Sequence, residues 1–83
     1  PNPANPSTEI RYSVGLTGPV TLKVYNLKGQ VVRTLVDEVK TPGTYTVRWD
    51  GRDDKGIEVS SGIYLYRIVA GGYSEARRMV LLR

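Results

Sequence analysis

The sequence predicts an all-β domain in which two antiparallel sheets pack as a sandwich. Two observations carry that reading. Apolar residues recur with a period of two in one segment after another, and Gly, Pro, Asn and Asp interrupt these segments at short intervals. Regular short strands separated by turn signals are the pattern of a two-sheet sandwich of about seven strands.

Each element follows from its own residues. In TEIRYSV, near 8–14, Ile10, Tyr12 and Val14 alternate with Arg11 and Ser13, as in a strand with one buried face. Near 19–26, Val20, Leu22 and Val24 alternate with Thr21 and Lys23. The segment QVVRTLVDEV has the length of a helical turn, but its β-branched content favours a strand near 30–36. Near 43–50, Tyr45, Val47 and Trp49 alternate with Thr44, Thr46, Arg48 and Asp50. A short strand is expected at 56–59, between Lys55-Gly56 and Ser61-Gly62. The last two strands, 62–70 and 73–82, flank Gly71-Gly72. If those glycines form a two-residue turn, Ala70 pairs with Tyr73 and the register of the hairpin follows.

That register sorts the hairpin into two faces. One carries Tyr64, Tyr66, Ile68, Met79 and Leu81. The other carries Ile63, Leu65, Val69, Val80 and Leu82, interrupted by Arg67 and Arg78. A single sandwich needs only one apolar face, so the second requires its own cover. A loop or the N-terminal arm supplies it, or another domain or another copy does, since contiguous exposed apolar patches mark interfaces.

The opening PNPANP is of a different kind. Pro1, Pro3 and Pro6 remove backbone donors and push the residues before them toward extended conformations, so residues 1–7 are read as an arm or linker. Residues 8–83 form the sandwich domain. Because the chain opens on Pro1 without an initiator Met, it is expected to be a cleaved, excised or partly sequenced piece of a longer precursor.

Composition excludes most chemistry. Among 83 residues there is no cysteine for a disulfide or thiolate site and no histidine, the commonest general base. Without histidine a serine triad lacks its usual base, and Lys23 and Lys28 adjoin no serine in a Ser-x-x-Lys arrangement. A paired-carboxylate glycosidase needs a cleft that a small sandwich hardly supplies. Neither catalysis nor a cofactor is expected.

The charge of +4 is spread over Arg11, Lys23, Lys28, Arg33, Lys40, Arg48, Lys55 and Arg67, with only Arg77 and Arg78 adjacent. No basic stripe for nucleic acid emerges. No apolar run approaches the roughly twenty residues of a membrane helix.

Two clusters have more than one reading. Asp50, Asp53 and Asp54 in DGRDDKG have the oxygen ligands of a calcium loop, but lack the ligand spacing of an EF-hand. The same residues are what tight turns demand. Trp49, Tyr45, Tyr64, Tyr66 and Tyr73 suit a sugar-binding platform, yet Trp49 is in phase with Tyr45 and Val47 on the presumed inner face.

Over nearly its whole length the chain resembles a known family. PNPANPSTEIRYSV, VTLKVYNLKGQVVRTLV, PGTYTVRWDGRDDKG, SSGIYLYRI and RRMVLLR follow one another as in the C-terminal sorting domains of the type IX secretion system. The immunoglobulin-like domain of the flagellar hook-cap protein is a relative with a similar WDGRDDKG centre. The resemblance implies an immunoglobulin-like, fibronectin-III-like sandwich of seven antiparallel strands behind a larger cargo, exported across a bacterial outer membrane. The domain would be recognised by the secretion machinery, and often cleaved as the cargo is anchored at the surface.

Residue by residue, Pro1-Asn2-Pro3 and Asn5-Pro6 match the opening motif. Gly43, Tyr45, Asp50 and Gly51 match the central motif, Gly62 and Tyr64 the next, and Arg77 to Arg83 the closing signal. At Ala4 the family commonly places a bulky aromatic. The expected recognition surface is therefore the arm, the outer hairpin residues Ile63, Leu65, Val69, Val80 and Leu82, and the basic end Arg77, Arg78 and Arg83. Partners are the secretion machinery or the parent protein. A homo-oligomer or filament built by strand addition between copies is the alternative.

Overall fold

The computed structural model describes residues 7–83. Six strands follow in order: β1 (Thr8–Val14), β2 (Gly18–Tyr25), β3 (Val31–Lys40), β4 (Gly43–Trp49), β5 (Gly62–Ala70) and β6 (Tyr73–Leu81). They form a two-stranded sheet, β1-β4, and a four-stranded sheet ordered β3-β2-β5-β6, with every pair antiparallel. The alternating residues carry the packing: Ile10, Tyr12, Val14 and Trp49 on one sheet meet Val20, Leu22, Val24, Val36, Tyr64, Ile68, Met79 and Leu81 on the other. Burying side chains of this kind contributes roughly 1.5–3 kcal/mol each relative to exposure. The Trp49 and Tyr64 rings meet edge to face at 5.2 Å and tie the sheets together.

Tyr64 also fixes the loop before it. Its hydroxyl donates to the Ser60 carbonyl at 2.7 Å, four residues upstream. This is the tyrosine corner of Greek-key sandwiches. The strand order completes the match to an immunoglobulin-like fold, with β1 and β4 as the B and E strands. In that fold strand A flanks B. Among the described residues β1 pairs with β4 alone.

The count of strands differs from the expected seven, because residues 56–59 form no strand. Among the described residues their only ladder contact is one bridge, Arg52 to Glu58. The reason lies in Asp53, whose carboxylate Oδ1 accepts the Lys55 and Ile57 amides at 2.9 Å each. The Asp53 amide in turn donates to the Ile57 carbonyl, and the Gly56 amide to the Asp53 carbonyl. A segment whose backbone groups are satisfied within its own loop has few left for a sheet.

β3 runs longer than expected, reaching Lys40 opposite Gly18. Register shifts between Leu22 and Lys23, and between Val24 and Tyr25, interrupt its pairing with β2. Such bulges re-aim side chains. Arg33 lies between them and turns toward the loop after β4.

Gly71 opens the final hairpin turn with φ of 61°, and Ala70 pairs with Tyr73 as the sequence predicts.

Candidate interaction surface

The acidic loop is built by its own hydrogen bonds. Asp50 Oδ1 accepts the Arg52 amide at 3.1 Å and the Arg33 guanidinium at 3.0 Å. Asp54 Oδ1 accepts the Thr34 amide at 2.9 Å, which fastens the loop to β3. Asp53 closes the turn as described. The three carboxylates are thus directed to separate backbone donors, and among the described residues no group of three or more His, Cys, Asp or Glu is arranged to hold a metal ion. Trp49 is fully buried, so its ring offers no sugar platform.

The outward face of the four-stranded sheet has a different character. Ile63 and Val69 are each 38% exposed and Val80 59%, and Leu65 lies half-buried among them. Cross-strand pairing sets Arg78 opposite Leu65, and Leu65 opposite Tyr25. One row along, Lys23 stands opposite Arg67. Ile63, Leu65, Val69, Arg78 and Val80 of the expected recognition surface therefore share this face. Leu82 lies just beyond the end of β6, 73% exposed.

Two expected residues go elsewhere. Arg77 points to the opposite side of β6, where its Nε donates to Glu75 Oε2 at 2.8 Å. Arg83 is drawn into the fold: its guanidinium donates to the Val59 and Gly51 carbonyls and lies 3.7 Å from Glu58, while its amide donates to Ser61 Oγ at 3.0 Å. Pro1, Asn2, Pro3, Asn5 and Pro6, with Ala4, lie outside the described residues.

Sequence reasoning missed the contribution of Lys23 and Tyr25 to the face. Both lie on β2, and only the long-range pairing of β2 with β5 places them beside Arg67 and Leu65. Alternation within β2 puts Lys23 outward, but does not name its neighbour.

On the side of β1 away from β4, a groove of about 990 Å³ runs among the described residues. Tyr12, Val14 and Leu16 line one side, and Tyr66, Ile68 and Tyr73 the other. Glu75 and Arg77, joined to each other, stand at its rim.

These features define a small immunoglobulin-like sandwich that presents surfaces rather than an enclosed pocket. Residues 7–73 match the family described as the FlgD Ig-like domain, and the chain belongs to that family. No curated protein matches the chain.

Solved structures share the fold. FlgD from Xanthomonas campestris, described for the hook capping essential for flagellar assembly, is similar with a TM-score of 0.70 at 20% identity. The match covers 94% of this chain and 59% of that one. FlgD from P. aeruginosa gives 0.63 at 22% identity, covering 90% and 60%. Dimeric latent PorU from Porphyromonas gingivalis gives 0.68 at 24% identity, covering 96% of this chain and 8% of that one. The chain thus spans less than two thirds of each of these proteins.

Proposed function

We propose that the chain is a non-catalytic, extracellular recognition module that sorts and attaches a larger protein at a bacterial surface, in the manner of type IX C-terminal sorting domains. The observation that carries this reading is the hairpin of β5 and β6, apolar on both faces although the sandwich uses only one. Its inner face holds Tyr64, Ile68, Met79 and Leu81 in the core, while Ile63, Val69 and Val80 remain open on the other. An apolar surface kept outside a complete core suits contact with another protein. The likeness to a segment of PorU, and the order of motifs from PNPANP to RRMVLLR, support the same reading.

A fusion of residues 1–83 behind a folded reporter tests it. In a bacterium with a working type IX system the reporter should reach the cell surface, and in a secretion-null strain it should stay in the periplasm. Periplasmic retention in both strains would reject the sorting role.

The edge of β1 that no described residue pairs with favours one second reading, a subunit that assembles by strand addition. A strand from another copy laid into the adjoining groove would complete the two-stranded sheet, and a head-to-tail contact of that kind builds filaments. Rods in electron micrographs that vanish on deletion of residues 1–7 would establish assembly. A concentration-independent monomer near 9.2 kDa would dismiss it.

A further inference from the structure

We propose that the outer face of the four-stranded sheet docks an acidic protein surface belonging to a different chain or domain. This rests on the recognition reading above and names the chemistry of the partner.

Lys23 and Arg67 are directly opposed on β2 and β5, and like charges directly opposite each other destabilise a sheet. Arg78 adds a third cation one row along, beside Leu65. Asp37, opposite Thr21, also faces outward near Lys23, but it forms no ion pair with any of the three. Among the described residues, the ion pairs are made by Arg33, Lys40, Arg52, Arg77 and Arg83 instead. Arg67 finds only the neutral Ser74 hydroxyl, at 2.9 Å. Residues 1–6 contain no carboxylate side chain that could serve. Three cations against the single strand carboxylate Asp37 leave an excess of positive charge on this face, complementary to carboxylates on a partner.

The surrounding side chains select the kind of partner. Leu65, Tyr25 and Val80 set apolar and aromatic contacts between the cations, and Tyr and Arg with apolar neighbours are what protein interfaces use at their centres. A sugar chain would want stacked aromatics, and Tyr25 is the one aromatic on this face. A second copy fits poorly as well. Two-fold packing of the face on itself would bring Lys23, Arg67 and Arg78 against their own counterparts.

The test uses the 83-residue chain and three probes: a glutamate–tyrosine copolymer, dextran sulfate and phosphatidylglycerol vesicles. The copolymer should bind most tightly, and K23E/R67E should lose at least about tenfold in affinity for it. The control K28E/K55E, with the same change in net charge on exposed turns, should lose far less.

A single K23E variant separates docking from folding. It replaces a repulsive cross-strand pair with an attractive one, so its melting temperature should rise while its affinity falls. Equal losses in the two double variants would reduce the effect to net charge and overturn the proposal. Tighter binding of dextran sulfate or vesicles than of the copolymer would also overturn it, as would self-association abolished by K23E/R67E. The export fusion has its own readout, so a sorting domain whose outer face binds no acidic polypeptide would be recognised as such.

Discussion

The Trp49 indole N–H donates to the Arg52 carbonyl at 2.9 Å, so the largest core residue also fixes the loop that leaves β4. The same carbonyl accepts the Arg33 guanidinium at 3.2 Å. Trp49→Ala empties the centre of the core and should cost about 3–5 kcal/mol. Trp49→Phe should cost clearly less, because it keeps much of the volume and the carbonyl retains Arg33. Urea unfolding followed by circular dichroism measures both. An alanine variant as stable as the parent would mean that the sheets are held elsewhere.

The corner hydroxyl of Tyr64 gives a cleaner single-atom experiment. Tyr64→Phe leaves the ring against Trp49 and removes only the bond to the Ser60 carbonyl. Because Ser60 is exposed and water can reach its carbonyl, losing this bond should cost about 0.5–1.5 kcal/mol. Residues 59–61 should also exchange their amide hydrogens faster. If exchange there is unchanged, the corner does not hold the loop.

Much of this architecture was legible in the chain, for a physical reason. A period of two survives in any half-buried strand, so the inward places of Ile10, Leu22 and Trp49 could be read one strand at a time. The hairpin register was equally accessible, since Gly71-Gly72 fixes it locally. Partnerships across long loops were not. Nothing in the sequence around Arg33 announces the bulges that aim it at Asp50, and nothing near Lys23 announces Arg67. The missing strand at 56–59 failed in the opposite way: Ile57 and Val59 alternate properly, but Asp53 captured the backbone first. For the outer face, sequence supplied the exposed apolar set of the hairpin together with Arg67 and Arg78, while Lys23 and Tyr25 needed the sheet order.

Asp53 therefore marks where turn chemistry and metal binding give different outcomes. Asp53→Ala removes acceptors for two amides and should cost about 1–2 kcal/mol, whereas Asp53→Asn keeps an acceptor and should cost less. Added calcium should leave the melting temperature of the parent unchanged. A calcium-dependent rise that disappears in the Asn variant would instead show a metal loop.

At the groove rim, Tyr73 and Arg77 of β6 both bind Glu75. The Tyr73 hydroxyl donates to Glu75 Oε1 at 2.6 Å, and Arg77 binds the other carboxylate oxygen. The bond from Tyr73, then that from Arg77, holds the Glu75 pKa below its ordinary value. The bond to Glu75 raises that of Tyr73, with desolvation adding to it. A carboxylate depressed in the folded state stabilises above its unfolded pKa, and that stability is lost as pH falls through the folded value. For the raised phenol, stabilisation is present below its unfolded pKa and lost as pH rises through the folded one. Tyr73→Phe should move the Glu75 titration upward, though Arg77 keeps it from returning fully to the ordinary range. Carboxyl chemical shifts followed against pH decide this, and an unmoved Glu75 would show that Arg77 alone sets its acidity.

The last residue is coupled to the loop after β4 through Gly51. Its φ of 76° lies in the left-handed region, and a Cβ there would stand 2.8 Å from the Arg83 guanidinium and 3.4 Å from Leu81. Arg83 in turn binds the Gly51 and Val59 carbonyls and approaches Glu58, so it fastens the segment after β6 to residues 56–59. Gly51→Ala should cost about 1–2 kcal/mol in backbone strain alone. It should cost more in all, because the methyl group also displaces the guanidinium. Arg83→Met removes the same clamp while keeping an unbranched stem. The two losses should therefore be less than additive in Gly51→Ala/Arg83→Met, since either change already releases the contact. Strict additivity in a double-mutant cycle would show that Gly51 is required for its backbone conformation only, and that Arg83 holds the loop independently of it.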